Sequence, residues 1–232
     1  MSAPDQQAPV PLRTAFREEL DQLQLQVELM GVRVDQNLER MRQVIDHCDP
    51  HDVVVAADLS ADDEIDAMHV SLLERCYLLL GREAPVASDL RFVVSVVRIL
   101  SELERIGDLA LRVVKLAPEF DELSASGSPW DIVCTLVEVA VEQYRTALRA
   151  WSTQDLDLAT RLVEEPPRLR PLHERVVAEL RRLDGPDAAA VAMHLFVAGQ
   201  AADRIADHAA VIGARLRYLI TGEPAHLAAE VR

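Results

Sequence analysis

The sequence predicts an all-α protein of two pseudo-symmetric three-helix bundles, with six long helices in total. Three observations lead there. The 232-residue chain is half hydrophobic but only 4% aromatic, with 8 glycines, a composition of Leu, Val, Ile and Ala packing between helices. Apolar residues recur at spacings of three and four over long stretches. Two similar segments stand about a hundred residues apart. They are Glu102-Leu-Glu-Arg-Ile-Gly-Asp108 and Ala202-Asp-Arg-Ile-Ala-Asp-His208, and each would close a set of three helices.

The first helix spans about Leu12 to His47. Phe16, Leu20, Leu23, Val27, Met30, Val34, Leu38, Met41 and Ile45 give it a bundle seam. Gly31 interrupts that seam at a cost of about 1 kcal/mol relative to Ala, which a close helix contact would explain. Cys48-Asp-Pro-His-Asp52 reads as the turn. The second helix carries Ile65, Met68, Leu72, Cys76 and Leu79 to about Leu80, with Gly81 as its C-cap. Ser88 or Asp89 would cap the third, which runs to about Leu116 on Val96, Ile99, Leu103, Ile106, Ala110 and Val113.

The predicted organisation is a disordered tail over 1–11, a first bundle over 12–118, a linker over 119–129, a second bundle over 130–222 and a tail over 223–232. Ser124-Ala-Ser-Gly-Ser-Pro129 has linker composition. A fourth helix spans about Trp130 to Trp151, a fifth begins at Asp155, and Asp187 precedes a last helix ending near Ile220 at Thr221-Gly222. Glu165-Pro-Pro-Arg-Leu-Arg-Pro171 should break the fifth helix, since each interior proline costs a helix about 3 kcal/mol. Pro171 could open the next stretch.

A net charge of −15 argues against nucleic acid and against an anionic membrane surface as primary partner. The basic residues include a single lysine, Lys115. Cys48, Cys76 and Cys134 are widely spaced, without Cys-x-x-Cys, and read as free thiols in a reducing cytosol. Residues 1–11 lack the apolar core of a signal peptide, and no run of 18 apolar residues occurs.

The candidate chemistry is acidic. Glu104/Asp108 and Asp203/Asp207 are i,i+4 pairs, each on one helix face. Asp62/Asp66 is a third such pair, on helix two. If helices two and three are antiparallel neighbours, Asp62, Asp66, Glu104 and Asp108 could face one another. Like charges about 4 Å apart repel by roughly 4 kcal/mol at an effective dielectric of 20, so such a cluster needs a proton, an Arg or a metal. Oxygen donors suit Mg, Mn, Ca or a multinuclear Fe centre. The alternative is that Arg98, Arg105 and Arg112 neutralise these acids in surface networks.

In the second half, Pro166 and Arg170 fall where Asp62 and Asp66 would recur, leaving Asp203 and Asp207. His208, about 100° from Asp207, reads as a solvated helix residue. Asp66-Ala-Met-His69 resembles one half of a di-iron Glu-x-x-His motif without a second copy, so His69 reads as a surface or boundary residue. The sequence contains no Gly-rich phosphate loop, Gly-x-Ser-x-Gly or His-Glu-x-x-His.

These segments, in this order, resemble the PhoU family of bacterial phosphate-uptake regulators. Leu29-Met-Gly31, Asp62-Asp-Glu-Ile-Asp66, Pro85-Val-Ala-Ser-Asp-Leu-Arg91, the two arginine-centred segments and Tyr218-Leu-Ile-Thr-Gly222 carry the match over about 12–224. The resemblance implies a PhoU-like pair of bundles, often a homodimer, in a cytoplasmic, non-enzymatic regulator that could sit at the membrane through its partners. It implies contact with the ATPase subunit of a phosphate-importing ABC transporter and with a phosphate-sensing histidine kinase, restraining import and the starvation response when phosphate is plentiful. It also implies a possible divalent or multinuclear metal (Fe, Mn, Mg or Zn) at Asp62/Asp66, Glu104/Asp108 and Asp203/Asp207.

Two departures stand out: Leu109 replaces a histidine common after Gly-Asp, and Pro166 and Arg170 replace the second Asp pair. One competent metal site, in the first bundle, is therefore expected. The runner-up reading is a carboxylate-bridged metalloenzyme in a helical bundle.

Overall fold

The computed structural model describes residues 12–47, 62–82, 87–164 and 169–231. Those residues form helices α1 (Leu12–His47), α2 (Asp62–Arg82), α3 (Ala87–Val114), a short α4 (Phe120–Ser124), α5 (Ser128–Thr153), α6 (Leu156–Glu164), α7 (Leu169–Leu180) and α8 (Ala188–Thr221). Single 3-10 segments cover Ala117–Glu119 and Pro224–Val231. Among the described residues there is no strand. The expected N-terminal tail and the Cys48–Asp52 turn lie outside the described residues.

The apolar seam of α1 is buried from Leu23 through Val27, Met30, Val34, Leu38 and Met41 to Ile45, as a 3.6-residue period requires. Several expected punctuation marks hold their places. Asp155 accepts hydrogen bonds from the backbone N–H groups of Asp157 and Leu158, both at 2.9 Å, and so caps α6. α6 closes at Glu164 and α7 opens at Leu169, with Pro171 in its first turn, where its missing N–H costs nothing; the expected break at Glu165–Arg168 lies outside the described residues. Gly222 takes a left-handed conformation (φ 75°) and its N–H closes α8 onto the Tyr218 carbonyl at 2.8 Å.

Gly81 is different from expectation. It is inside α2, which runs on to Arg82, rather than at its cap. Ser88 and Asp89 likewise lie within the first turn of α3, which begins at Ala87.

The stretch read as a linker packs onto the core. Phe120 and Leu123 of α4 are buried, and the Phe120 ring meets Trp130 edge-on at 5.2 Å. The closing Pro224–Val231 segment winds back against α8.

The halves pack like on like. The first helices of each half meet (α1 on α5), and so do the third helices (α3 on α8). The buried apolar residues form one cluster that runs through both halves. At the α1–α5 crossing, a Cβ added to Gly31 would lie 2.5 Å from Leu148 Cδ1. The buried Tyr144 hydroxyl donates to the Gly31 carbonyl at 2.6 Å. The close contact expected at Gly31 is therefore present. Beside it Arg145 binds Asp35 and Glu39, and Arg42 binds Glu138.

α3 and α8 run antiparallel at the centre. Arg91, near the start of α3, lies beside Gly222 at the end of α8, whereas Glu102 meets His208.

Candidate functional site

In the first half, α2 and α3 pack together with the Ile65 side chain against Gly107. A Cβ on Gly107 would come within 3.1 Å of Ile65 Cδ1. This brings the start of α2 onto the turn of α3 that carries Glu104 and Asp108. Glu104 is half-buried, whereas Asp108 and Asp66 are exposed. The Asp62 side chain lies outside the described residues. Among the described residues, no three His, Cys, Asp or Glu side chains converge into a metal-binding group. His69, three residues beyond Asp66, holds its Nε2 buried without a hydrogen-bond partner among the described residues.

The second half has a different arrangement. Arg170 points into solvent, 3.9 Å from Glu174, and Pro166 lies outside the described residues. One turn further along α7, His173 takes up Asp203, with Nδ1 2.6 Å from Oδ2. The His173 ring also stands edge-on to Phe196 at 5.9 Å. Burial pushes the Asp203 carboxyl above its ordinary range; His173 opposes that shift and the neighbouring Asp207 adds to it. Asp207 itself is exposed.

Sequence reading did not single out His173. A clue was available: Arg170-Pro-Leu-His173 matches Asp66-Ala-Met-His69 in spacing, so the histidine recurs where the aspartates do not.

A third constellation joins the halves. Glu102 is fully buried, and its carboxylate lies 2.5 Å from His208 Nδ1 on α8 and 2.9 Å from an Arg98 guanidinium nitrogen. A carboxylate can only accept, so His208 Nδ1 carries the proton of this bond. His208 is 16% exposed and is not the solvated residue expected from its helical position. The reason is tertiary: its face of α8 is the one that α3 covers. Glu102 had a sequence signature, because it falls three residues after Ile99 and four before Ile106, on the spacing of the apolar stripe.

Asp203 and Asp207 follow Glu104 and Asp108 by 99 residues. The same offset relates Glu102 to Ala201 and Leu109 to His208. Ala201 and Leu109 are buried as well, at 2% and 8% exposure. One of the two pseudo-equivalent places on the α3–α8 seam is thus charged and the other is apolar.

This six-helix duplication has counterparts of known structure. The chain superposes on the crystal structure of PhoU from Pseudomonas aeruginosa with a TM-score of 0.82 and 26% identity, covering 90% of this chain and all of that one. A family model described as the PhoU domain matches residues 27–117. The chain is similar to PhoU proteins over most of its length.

Its PhoU relatives align over nearly the whole length. The phosphate-specific transport system accessory protein PhoU of Serratia marcescens is 28% identical across 90% of this chain and 85% of its own. The PhoU homolog 2 of Mycobacterium tuberculosis is 28% identical across 91% and 99%. The phosphate transport regulatory protein PhoU of Streptococcus pneumoniae shares the fold, at a TM-score of 0.78 and 22% identity. Among the described residues no helix is long and apolar enough to cross a membrane.

Proposed function

We propose that this PhoU-like chain is a non-enzymatic regulator of phosphate homeostasis that works by protein–protein contact. The observation that carries this reading is the end-to-end likeness to proteins named as accessory to phosphate-specific transport. The partners would be the ATPase subunit of a phosphate ABC transporter and a phosphate-sensing histidine kinase. A cytoplasmic homodimer, peripheral at the membrane through those partners, would restrain import when phosphate is plentiful. Its mechanism would be a population shift, in which phosphate status biases how much of the protein is partner-bound.

Affinity capture of the ATPase subunit and the kinase, at high and low phosphate, tests this. Capture that changes with phosphate is expected; absence of both partners under both conditions would sink the reading.

We further propose that any metal belongs to the first half, with Asp62, Asp66, Glu104 and Asp108 as donors. The contact of Ile65 with Gly107 supports this by setting α2 against the carboxylate turn of α3. The engagement of Asp203 by His173 supports a degenerate second site. Such oxygen donors would hold a hard divalent or multinuclear ion as a structural or regulatory group. Metal content measured after anaerobic purification should fall in Glu104→Ala and hold in Asp203→Ala. Equal loss in both would count against the assignment.

A further inference from the structure

We propose that the outer face of α1 and α2 is a docking surface for a basic amphipathic helix of a partner protein. The face is read from exposure and charge, whereas the identity of the partner rests on the protein–protein contact reading above.

α1 and α2 pack antiparallel, tied by polar side chains. Arg75 donates to the Gln26 and Gln22 side chains at 2.7 and 2.8 Å, and Arg33 binds Glu64 at 3.1 Å. These contacts fix which residues flank the line between the helices. Leu29 stands three residues after Gln26 and four before Arg33, and Leu78 stands three after Arg75. Both border that line, and both are exposed. Leu25, Leu29 and Val32 recur at i, i+4 and i+7, so they form one stripe of α1. On α2, Val70, Tyr77 and Leu78 surround Glu74 at spacings of three and four. These six apolar side chains keep 46–65% of their surface in water.

Single exposed apolar residues are ordinary, but a contiguous group marks an interaction surface. The duplication does not repeat it. Among the described residues, α5, α6 and α7 expose no large apolar side chain.

Charge decides what covers this face. Over 17–33 and 62–78 the chain carries nine acids and three arginines. Arg33 and Arg75 are engaged between the helices. Glu18, Asp21, Asp63 and Glu74 are exposed and have no ion pair among the described residues. A matching partner lays apolar side chains of one helix on the leucines and sets Lys or Arg beside them.

Other occupants fit worse. An anionic membrane or a nucleic acid meets like charge here. A second copy that meets this face with its own, as a two-fold dimer requires, sets acid against acid. The α7 of a second copy is basic, with Arg170, Arg175, Arg181 and Arg182 against Glu174 and Glu179, but it offers no exposed large apolar side chain.

Fluorescence anisotropy with the full-length chain tests the face. The probes are two synthetic helices with the same leucine stripe, one flanked by lysines and the other by glutamates. The lysine helix should bind saturably, one per chain, and the glutamate helix about tenfold more weakly or worse. Leu29→Gln and Tyr77→Gln should each weaken the lysine helix by about tenfold, as the loss of an apolar anchor does. Asp21→Lys combined with Glu74→Lys should reverse the preference between the two probes. Met193→Gln, at an exposed apolar residue of α8, should bind as the parent does. Far-UV circular dichroism checks folding, and Leu25→Gln replaces either anchor variant that is unfolded.

The proposal is overturned if the lysine helix does not saturate, if both probes bind alike, or if the anchor variants bind unchanged. Sedimentation equilibrium covers the remaining occupant. A parent dimer that Leu29→Gln or Tyr77→Gln turns into monomers overturns the proposal, because a second copy then holds the face. Capture of the ATPase subunit and the kinase separates this inference from the reading it deepens. Anchor variants that lose the helix should lose capture too, and undiminished capture overturns the assignment of the face to those partners. Capture of neither partner by the parent, with helix binding as stated, overturns the earlier reading and leaves the face standing.

Discussion

The two pseudo-equivalent places on the α3–α8 seam solve the same packing problem in opposite ways. At one, Arg98, Glu102 and His208 bury an ion-paired set between the halves. At the other, the corresponding residues, Leu109 and Ala201, are apolar and buried. A buried charge set seldom gains stability over an apolar one, because desolvation offsets the Coulomb attraction. What it gains is intolerance of loss, since any one member removed strands the others. The comparison teaches that a duplicated fold can keep its shape while one copy of a contact carries polarity and the other does not.

The largest effect should come from removing the acid. Glu102→Ala leaves Arg98 and His208 facing each other across the seam, and a cost of about 3–5 kcal/mol in urea unfolding is expected. Glu102→Leu combined with His208→Leu imitates the apolar place and should recover most of that loss. If the double variant is as unstable as the single, the two places are not interchangeable and the comparison breaks.

The reverse graft is the next test. Leu109→His buries an imidazole where Ala201 offers no acceptor, at a cost of about 1–3 kcal/mol. Adding Ala201→Glu should return part of it. A chain in which the second change gives nothing back would show that Arg98 is the indispensable member.

A smaller cost is expected away from the seam, at the α1–α5 crossing. Gly31→Ala drives a methyl into Leu148, an overpacking of about 1–3 kcal/mol that the better helix propensity of Ala offsets by roughly 1. A neutral result in thermal unfolding would mean that the α3–α8 seam alone sets how closely the halves approach.

The smallest effect concerns Glu39. A hydrogen bond from Arg145, with help from Arg42 and against partial burial, holds its carboxyl below the ordinary 4.5. A depressed acid contributes stability above its unfolded value and loses it as pH falls through the folded one. Glu39→Gln should therefore lower the melting temperature near neutral pH, by the equivalent of less than about 1 kcal/mol, because the pair is partly exposed. The difference from the parent should vanish in acid.

Much of the architecture was legible in the chain because it is written in local periods. The apolar spacing located α1, and Asp155 and Gly222 marked helix ends. Gly31 announced a close approach, though not its partner. Gly81 misled, since a glycine near the end of a helix is as compatible with an open, exposed turn inside it; nothing lies within 4 Å of its missing Cβ.

The site was less legible. His208 was read from its own helix, but its environment is set by Glu102, 106 residues away. In the second half an imidazole from α7, His173, meets Asp203 where the first half carries carboxylates in sequence. Long-range pairing of single side chains has no period to betray it.

The unbroken core described for the two halves has a consequence for how this chain can be taken apart. Cutting the connection near Gly127 would sever the polypeptide without parting the halves, because α1–α5 and α3–α8 hold them independently of it. Neither fragment would be a free-standing module, since each would turn its face of the seam to water. The sequence repeat counts two, whereas the buried core is one.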